Sequence, residues 1–164
     1  MNKYILTIAL GVLAFITTSF SKDTVVPTKN IDYSNTKKAH FAGGCFWGVE
    51  HLFEKQKGVK DVVSGFMVGH VQNPSYRAVI KGDTGHVETV EVVYDSSEIS
   101  YESLAKLFFE IHDSTQKNGQ GPDIGSQYLS VVFYENEEEK RTSEKLIEIL
   151  KAKGYAVATT LKPS

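Results

Sequence analysis

The residue types that invite chemistry gather around one cysteine. Cys45, the only cysteine among 164 residues, follows Gly43-Gly44 and precedes Phe46-Trp47-Gly48. A thiol after two glycines and at the first turn of a helix meets unpaired backbone N–H groups and the positive end of the helix dipole. Both favour the anion, so its pKa is expected below the free-thiol value of about 8.5. The glycines let a substrate approach the backbone closely, and the two rings set large apolar surfaces beside the sulfur. A cysteine in an arbitrary turn is more often small buried filler; the Gly-Gly-Cys-Phe-Trp-Gly setting favours a reactive thiol instead. A candidate acid comes from the strand-like run 86–95. With period-two alternation Glu88 shares a face with Val90, Val92 and Tyr94, whereas Glu91 shares one with Val87, Thr89 and Val93. A carboxyl on the more apolar face would be desolvated and its pKa raised, which suits a proton donor at neutral pH. Parity alone is equally consistent with an ordinary strand-end glutamate in solvent.

These groups need elements to hold them. Residues 39–44 read as a short strand ending in the glycine pair, and 46–57 as a helix with Phe46, Val49, Leu52 and Phe53 on its apolar face, stopped by Gly58. A strand is expected over 59–68. Asn73-Pro74-Ser75-Tyr76 and Lys81-Gly82-Asp83-Thr84-Gly85 have turn chemistry, and the second leads into the clearest strand, 86–95. Leu104, Leu107, Phe108 and Ile111 mark a helix over 99–112 with Ser100 as N-cap. A Gly/Pro/Asn loop spans 113–126, a strand 128–134, and Asn136 with Glu139 forms a capping box for a last helix ending near Lys153-Gly154. The order β-α-β-β-α-β-α predicts an α+β fold: a two-layer α/β sandwich of the ferredoxin-like plait type, a mixed sheet with helices mainly on one face.

Composition limits the choices further. With 41% hydrophobic and 23% charged residues the chain can bury one core, and a single domain is expected. A net charge of −2 gives no overall positive field for nucleic acid or an anionic membrane. One cysteine excludes an intrachain disulfide framework and a multi-thiolate zinc site; His86 and Glu88 share a strand face, but two ligands are too few, so no metal is expected. At the N-terminus Lys3 precedes an uncharged, largely apolar run over 4–20, with Ser19 and Ser21 spaced as small residues before a cleavage site. This predicts a signal peptide over 1–21 and an exported, periplasmic or extracellular protein, or a membrane-anchored one if the run stays uncleaved. Residues 22–38 read as a flexible leader and 39–164 as the folded domain.

Gly43-Gly44-Cys45-Phe46-Trp47-Gly48 resembles the active-site signature of the peptide methionine sulfoxide reductase A family. The resemblance continues through Asn73-Pro74-Ser75-Tyr76, Thr84-Gly85-His86-Val87-Glu88, the Phe108-Phe109-Glu110-Ile111-His112-Asp113 run and Gly121-Pro122-Asp123-Ile124-Gly125-Ser126-Gln127-Tyr128. It implies that the Cys45 thiolate attacks a sulfoxide sulfur while Glu88 protonates the departing oxygen. It also implies that Tyr76 and Tyr128 hydrogen-bond that oxygen, that Phe46 and Trp47 cage the S-methyl group, and that Asp123 orients substrate or its water. Nothing but the resemblance selects Tyr76 and Tyr128 from eight tyrosines. The implied substrate is methionine S-sulfoxide, free or in proteins, and the product enzyme a Cys45 sulfenic acid. No bound cofactor is implied, and a monomer is expected.

Two departures from the family pattern accompany this. Family members often carry resolving cysteines near the C-terminus; with none here, an external thiol, thioredoxin-like or small, would reduce the sulfenic acid. Members also continue into a tail containing Tyr, His and Asp, whereas this sequence stops at Ser164. Two other readings remain: a secreted cysteine hydrolase, which would need His86 or His112 as base to Cys45, and a non-enzymatic binding module with an aromatic pocket and an inert thiol.

Overall fold

The computed structural model describes residues 33–164. The signal-peptide expectation, and the leader as far as residue 32, lie outside them. Strand β1 (Thr36–Gly43) runs into helix α1 (Phe46–Glu54), which leads to β2 (Val59–Met67), a four-residue helix α2 (Tyr76–Val79) and β3 (Val87–Asp95). Helix α3 (Tyr101–Ile111) then precedes two two-residue strands, β4 (Gly119–Gln120) and β5 (Asp123–Ile124), and a 3-10 turn at Ser126–Tyr128. Strand β6 (Ser130–Tyr134), helix α4 (Glu137–Ala152) and β7 (Thr160–Pro163) complete the chain.

The main sheet has the order β2-β3-β1-β6-β7. Its first four strands are antiparallel neighbours and interleave two β-α-β units, the arrangement of a ferredoxin-like plait. Only β7, parallel to β6, makes the sheet mixed. Helices α1, α3 and α4 cover one face: Phe53, Leu104, Phe108 and Leu146 pack on Phe41, Val90, Val92 and Val132 in one buried cluster. At its centre Phe41 stacks between Phe53 and Phe108, with ring centroids 5.2 and 5.1 Å away. A smaller cluster of Ala42, Val87, Val131 and Phe133 occupies the opposite face.

Local chemistry sets the helix boundaries. Ser100 Oγ accepts from the Ser103 N–H at 3.1 Å, and Asn136 Oδ1 from the Glu139 N–H at 3.0 Å. The capping box is skewed: the Glu139 carboxylate accepts from the Glu135 N–H rather than from that of Asn136. Several elements depart from the sequence reading, among them β4 and β5, which form within the loop expected over 113–126. The strand begins at Thr36, so Thr36, Lys37 and Lys38, expected in the leader, pair with Asp95, Tyr94 and Val93. Ser75 caps α2 where only a turn was expected, its hydroxyl accepting from the Ala78 N–H. Tyr128 lies in the 3-10 turn, not in the strand, which starts at Ser130. Strand β7 had no counterpart in the sequence reading, because its side chains are mostly exposed and pairing with β6 defines it.

Candidate active site

The strand-to-helix shoulder at 43–45 is shaped by what surrounds it. Gly44 has φ +98°, and a Cβ there would lie 2.6 Å from the Gln120 side chain; a Cβ on Gly43 would lie 2.9 Å from the Phe108 ring. Gln120 is itself fixed, because its amide both accepts from the Asp113 N–H and donates to the Asp113 carbonyl. The shoulder is thus wedged between α3 and the β4–β5 hairpin, and only glycine fits its path. Cys45 occupies the N-cap of α1, partly exposed, with its side chain making no capping bond.

A carboxylate takes that capping role. The Phe46 N–H, first of the helix, donates to Glu88 Oε2 at 3.0 Å. Glu88 stands on the helix-covered face of β3 and is 1% exposed, and its second oxygen, Oε1, is buried with no hydrogen-bond partner among the described residues. Burial pushes its pKa above the ordinary carboxyl range, the Phe46 N–H opposes this, and the Asp123 charge adds to the rise. One oxygen is therefore anchored to the backbone beside Cys45, while the other can carry a proton.

Aromatic rings wall the site. Trp47 stacks on Tyr76 with centroids 5.9 Å apart, Phe46 stacks on Tyr76 at 6.2 Å, and Phe46 lies 5.8 Å from Trp47. Phe46 is buried, whereas Trp47 and Tyr76 are 63% and 40% exposed, so the group opens to solvent on one side. Desolvation and then the negative charges of Glu88, Cys45 and Asp123 raise the Tyr76 pKa. Tyr128 is raised by desolvation and Glu88, with a Gln127 hydrogen bond opposing and Tyr76 and Asp123 adding to the rise. Both phenols stay protonated and can donate. Ring contacts and the Phe46 N–H tie the Cys45 shoulder, Glu88 and Tyr76 into one site with Phe46 and Trp47, and Asp123 on β5 and Tyr128 in the 3-10 turn lie near enough for charge to act between them and Glu88 and Tyr76.

Two contributors were absent from the sequence reading. Phe66 lies directly across from Glu88 in the β2–β3 pairing, and its ring is 5.7 Å from that of Phe46. Gln120 supports the shoulder. Phe66 was detectable in principle from the hairpin's period-two register; Gln120 shows itself only through the hairpin packed on Gly44.

The histidines a hydrolase would need are otherwise engaged. His86 Nδ1 accepts from the Gly69 N–H, leaving Nε2 to donate to the Val71 carbonyl. His112 bonds the Phe108 carbonyl through Nδ1 and Ser130 Oγ through Nε2, and burial lowers its pKa and keeps it neutral. Neither has a free nitrogen to serve as base to Cys45. Among the described residues no group of three or more His, Cys, Asp or Glu side chains converges on a possible metal position.

Comparison with known proteins follows the same residues. A family model described as Peptide methionine sulfoxide reductase matches residues 37–164. The chain is 49% identical over 126 residues to Peptide methionine sulfoxide reductase MsrA of Nautilia profundicola, covering 77% of this chain and 73% of that protein. It is 47% identical over 126 residues to the protein of the same name from Saccharolobus solfataricus, covering 76% and 71%. Among solved structures, reduced Mxr1 of Saccharomyces cerevisiae superposes with a TM-score of 0.75 at 35% identity, covering 82% of this chain and 81% of that one.

Proposed function

The chain belongs to the peptide methionine sulfoxide reductase family, and on that premise we propose that it reduces methionine S-sulfoxide, free or in proteins, through Cys45. The observation that carries the reading is the pairing of an accessible thiol with a buried carboxyl of raised pKa, joined through the Phe46 N–H. The Cys45 thiolate attacks the sulfoxide sulfur. Glu88, holding its proton through Oε1, protonates the oxygen, and that step matters because sulfoxide oxygen leaves poorly until the S–O bond is polarised. Tyr76 and Tyr128 donate to the same oxygen, and Phe46 and Trp47 hold the methyl group. Asp123, half-buried beside them, orients substrate or its water. In balance, the substrate's S–O bond and the transient bond between the two sulfurs both break, the latter leaving its electron pair on the methionine sulfur, and one oxygen ends on Cys45: the sulfoxide is reduced by two electrons and the thiol is oxidised by two to a sulfenic acid.

Since Cys45 is the only cysteine of the sequence, recycling uses an external thiol. Two thiol equivalents, from a thioredoxin-like protein or a small thiol, return the sulfenic acid to the thiol and release a disulfide and water. The apolar N-terminal run supports export, so that proteins oxidised outside the cytoplasm would be the substrates. The direct test is a single turnover without reductant. One equivalent of an S-sulfoxide peptide should yield methionine and a dimedone-reactive Cys45, and Cys45→Ser should yield neither. A free thiol after turnover, or an active Cys45→Ser protein, would refute the scheme.

A further inference from the structure

We propose that Gln127 is a positioning residue that fixes the spacing of Tyr76 and Tyr128 by tying the end of α2 to the 3-10 turn. The inference rests on the sulfoxide reading of the site and adds to it a residue that touches neither substrate nor sulfur.

The two phenols arrive from separate segments. Tyr76 opens α2, a helix of only four residues, and Tyr128 closes a 3-10 turn of three. Neither element is long enough to hold a ring in place by its own hydrogen bonds. What joins them is a pair of side-chain bonds: Gln127 Nε2 donates to the Ile80 carbonyl at 3.2 Å, and Ser126 Oγ donates to the Gly82 carbonyl at 3.1 Å. Ile80 is the C-cap of α2, and its own N–H donates to the Tyr76 carbonyl, so the clasp reaches Tyr76 through a single helical turn. At the other end Gln127 is covalently next to Tyr128.

The clasp is built in rather than incidental. Gln127 is 5% exposed, and its Oε1 is buried with no hydrogen-bond partner among the described residues. Such an atom costs about 1–3 kcal/mol, so a glutamine is not what simple packing would place there. Two glycines of positive φ make room for the side chain: a Cβ on Gly125 (φ +147°) would lie 2.4 Å from Gln127 Oε1, and one on Gly82 (φ +83°) 3.2 Å from it. The burial cost is offset in part by the amide's donation to the Ile80 carbonyl.

The test is Gln127→Met, which keeps length and removes the donor, measured for kcat and KM with an S-sulfoxide peptide and dithiothreitol. In an otherwise wild-type chain kcat should fall about 10-fold to 100-fold, with KM held within about two-fold, as expected when donors to the reacting oxygen are misplaced. In a Tyr76→Phe/Tyr128→Phe background the same substitution should cost less than about two-fold, because nothing is left to position. Tyr101→Phe, which breaks a half-buried bond to Ser143 between α3 and α4, controls for general loosening and should leave kcat unchanged. Equal losses in both backgrounds, or a loss matched by Tyr101→Phe, would overturn the proposal. Ring-labelled tyrosine NMR separates this from failure of the sulfoxide reading. The Tyr76 and Tyr128 resonances should move in Gln127→Met whatever the substrate, and unmoved resonances would overturn the clasp while leaving the sulfoxide activity intact.

Discussion

Glu88 and Glu91 stand three residues apart on β3, on opposite faces of the sheet, and the two faces treat the same functional group in opposite ways. Glu88 lies under the start of α1; among the described residues a backbone N–H is its one partner and no cation stands beside it, and burial raises its pKa. Glu91 faces the other side and is paired on both oxygens: the Lys38 ammonium lies 2.8 Å from one and His40 Nε2 3.1 Å from the other. Burial would push Glu91 up as well, but the hydrogen bonds and charges of Lys38 and His40 outweigh it and hold its pKa below the ordinary range. A carboxyl becomes a proton donor here because the helix-covered face supplies shelter without a counter-charge. The opposite face supplies a counter-charge, and with it a permanent anion.

The largest expected effect follows from removing the proton. Glu88→Gln keeps an acceptor for the Phe46 N–H but nothing to transfer, so kcat for sulfoxide reduction should fall by about 10²–10⁴-fold. Glu91→Gln should stay within about two-fold of wild type. Wild-type activity should also decline on the alkaline side as Glu88 loses its proton, and Glu88→Gln should lack that limb. Equal kcat for Glu88→Gln and Glu91→Gln would erase the distinction between the faces.

A smaller effect comes from making one face imitate the other. Phe66 pairs with Glu88 across β2 and β3 as His40 pairs with Glu91 across β1 and β3. Phe66→Lys would put an ammonium beside Glu88 and move the alkaline limb to lower pH by about 1–3 units, as a cation does for a neighbouring carboxyl. Phe66→Met, which keeps an apolar wall, should leave the limb in place. A limb indifferent to Phe66→Lys would mean that another group supplies the proton.

This contrast was half legible in the sequence. Period-two alternation placed Glu88 with Val90, Val92 and Tyr94 and Glu91 on the other side, and the glycines and rings around Cys45 marked the shoulder, because both signals are local. The partners were not legible. Lys38 and His40 meet Glu91 only through the β1–β3 register, and Lys38 reads as leader because nothing in its own neighbourhood reads as strand. Asp123 and Tyr128 reach the site through a hairpin of two-residue strands and a 3-10 turn held by Gly119, Gly121 and Gly125 at positive φ. That path follows no period, so family resemblance alone singled them out. Strand β7 is illegible for a related reason: its pairing is parallel and distant, and its exposed side chains leave no apolar alternation.

The smallest effect is thermodynamic, and its sign separates the two faces. Glu88 has a folded pKa above its unfolded value of about 4.3, so the native state holds the extra proton and stability declines as pH rises from the unfolded value through the folded one. Glu91 has a folded pKa below its unfolded value; its contribution is present above the unfolded pKa and is lost as pH falls through the folded one. In acid, with both carboxyls protonated in either state, neither glutamine variant should differ from wild type through this linkage. Towards neutrality they should diverge. Glu88→Gln becomes more stable than wild type, because folding no longer has to take up a proton or bury a charge at this position. Glu91→Gln becomes less stable by up to about 1 kcal/mol, since its pairs are only partly shielded from water. Urea unfolding of the three proteins across this pH range measures both slopes. If the two variants shifted in the same direction, the difference between the faces would not be one of counter-charge, and the raised pKa of Glu88 would need another cause.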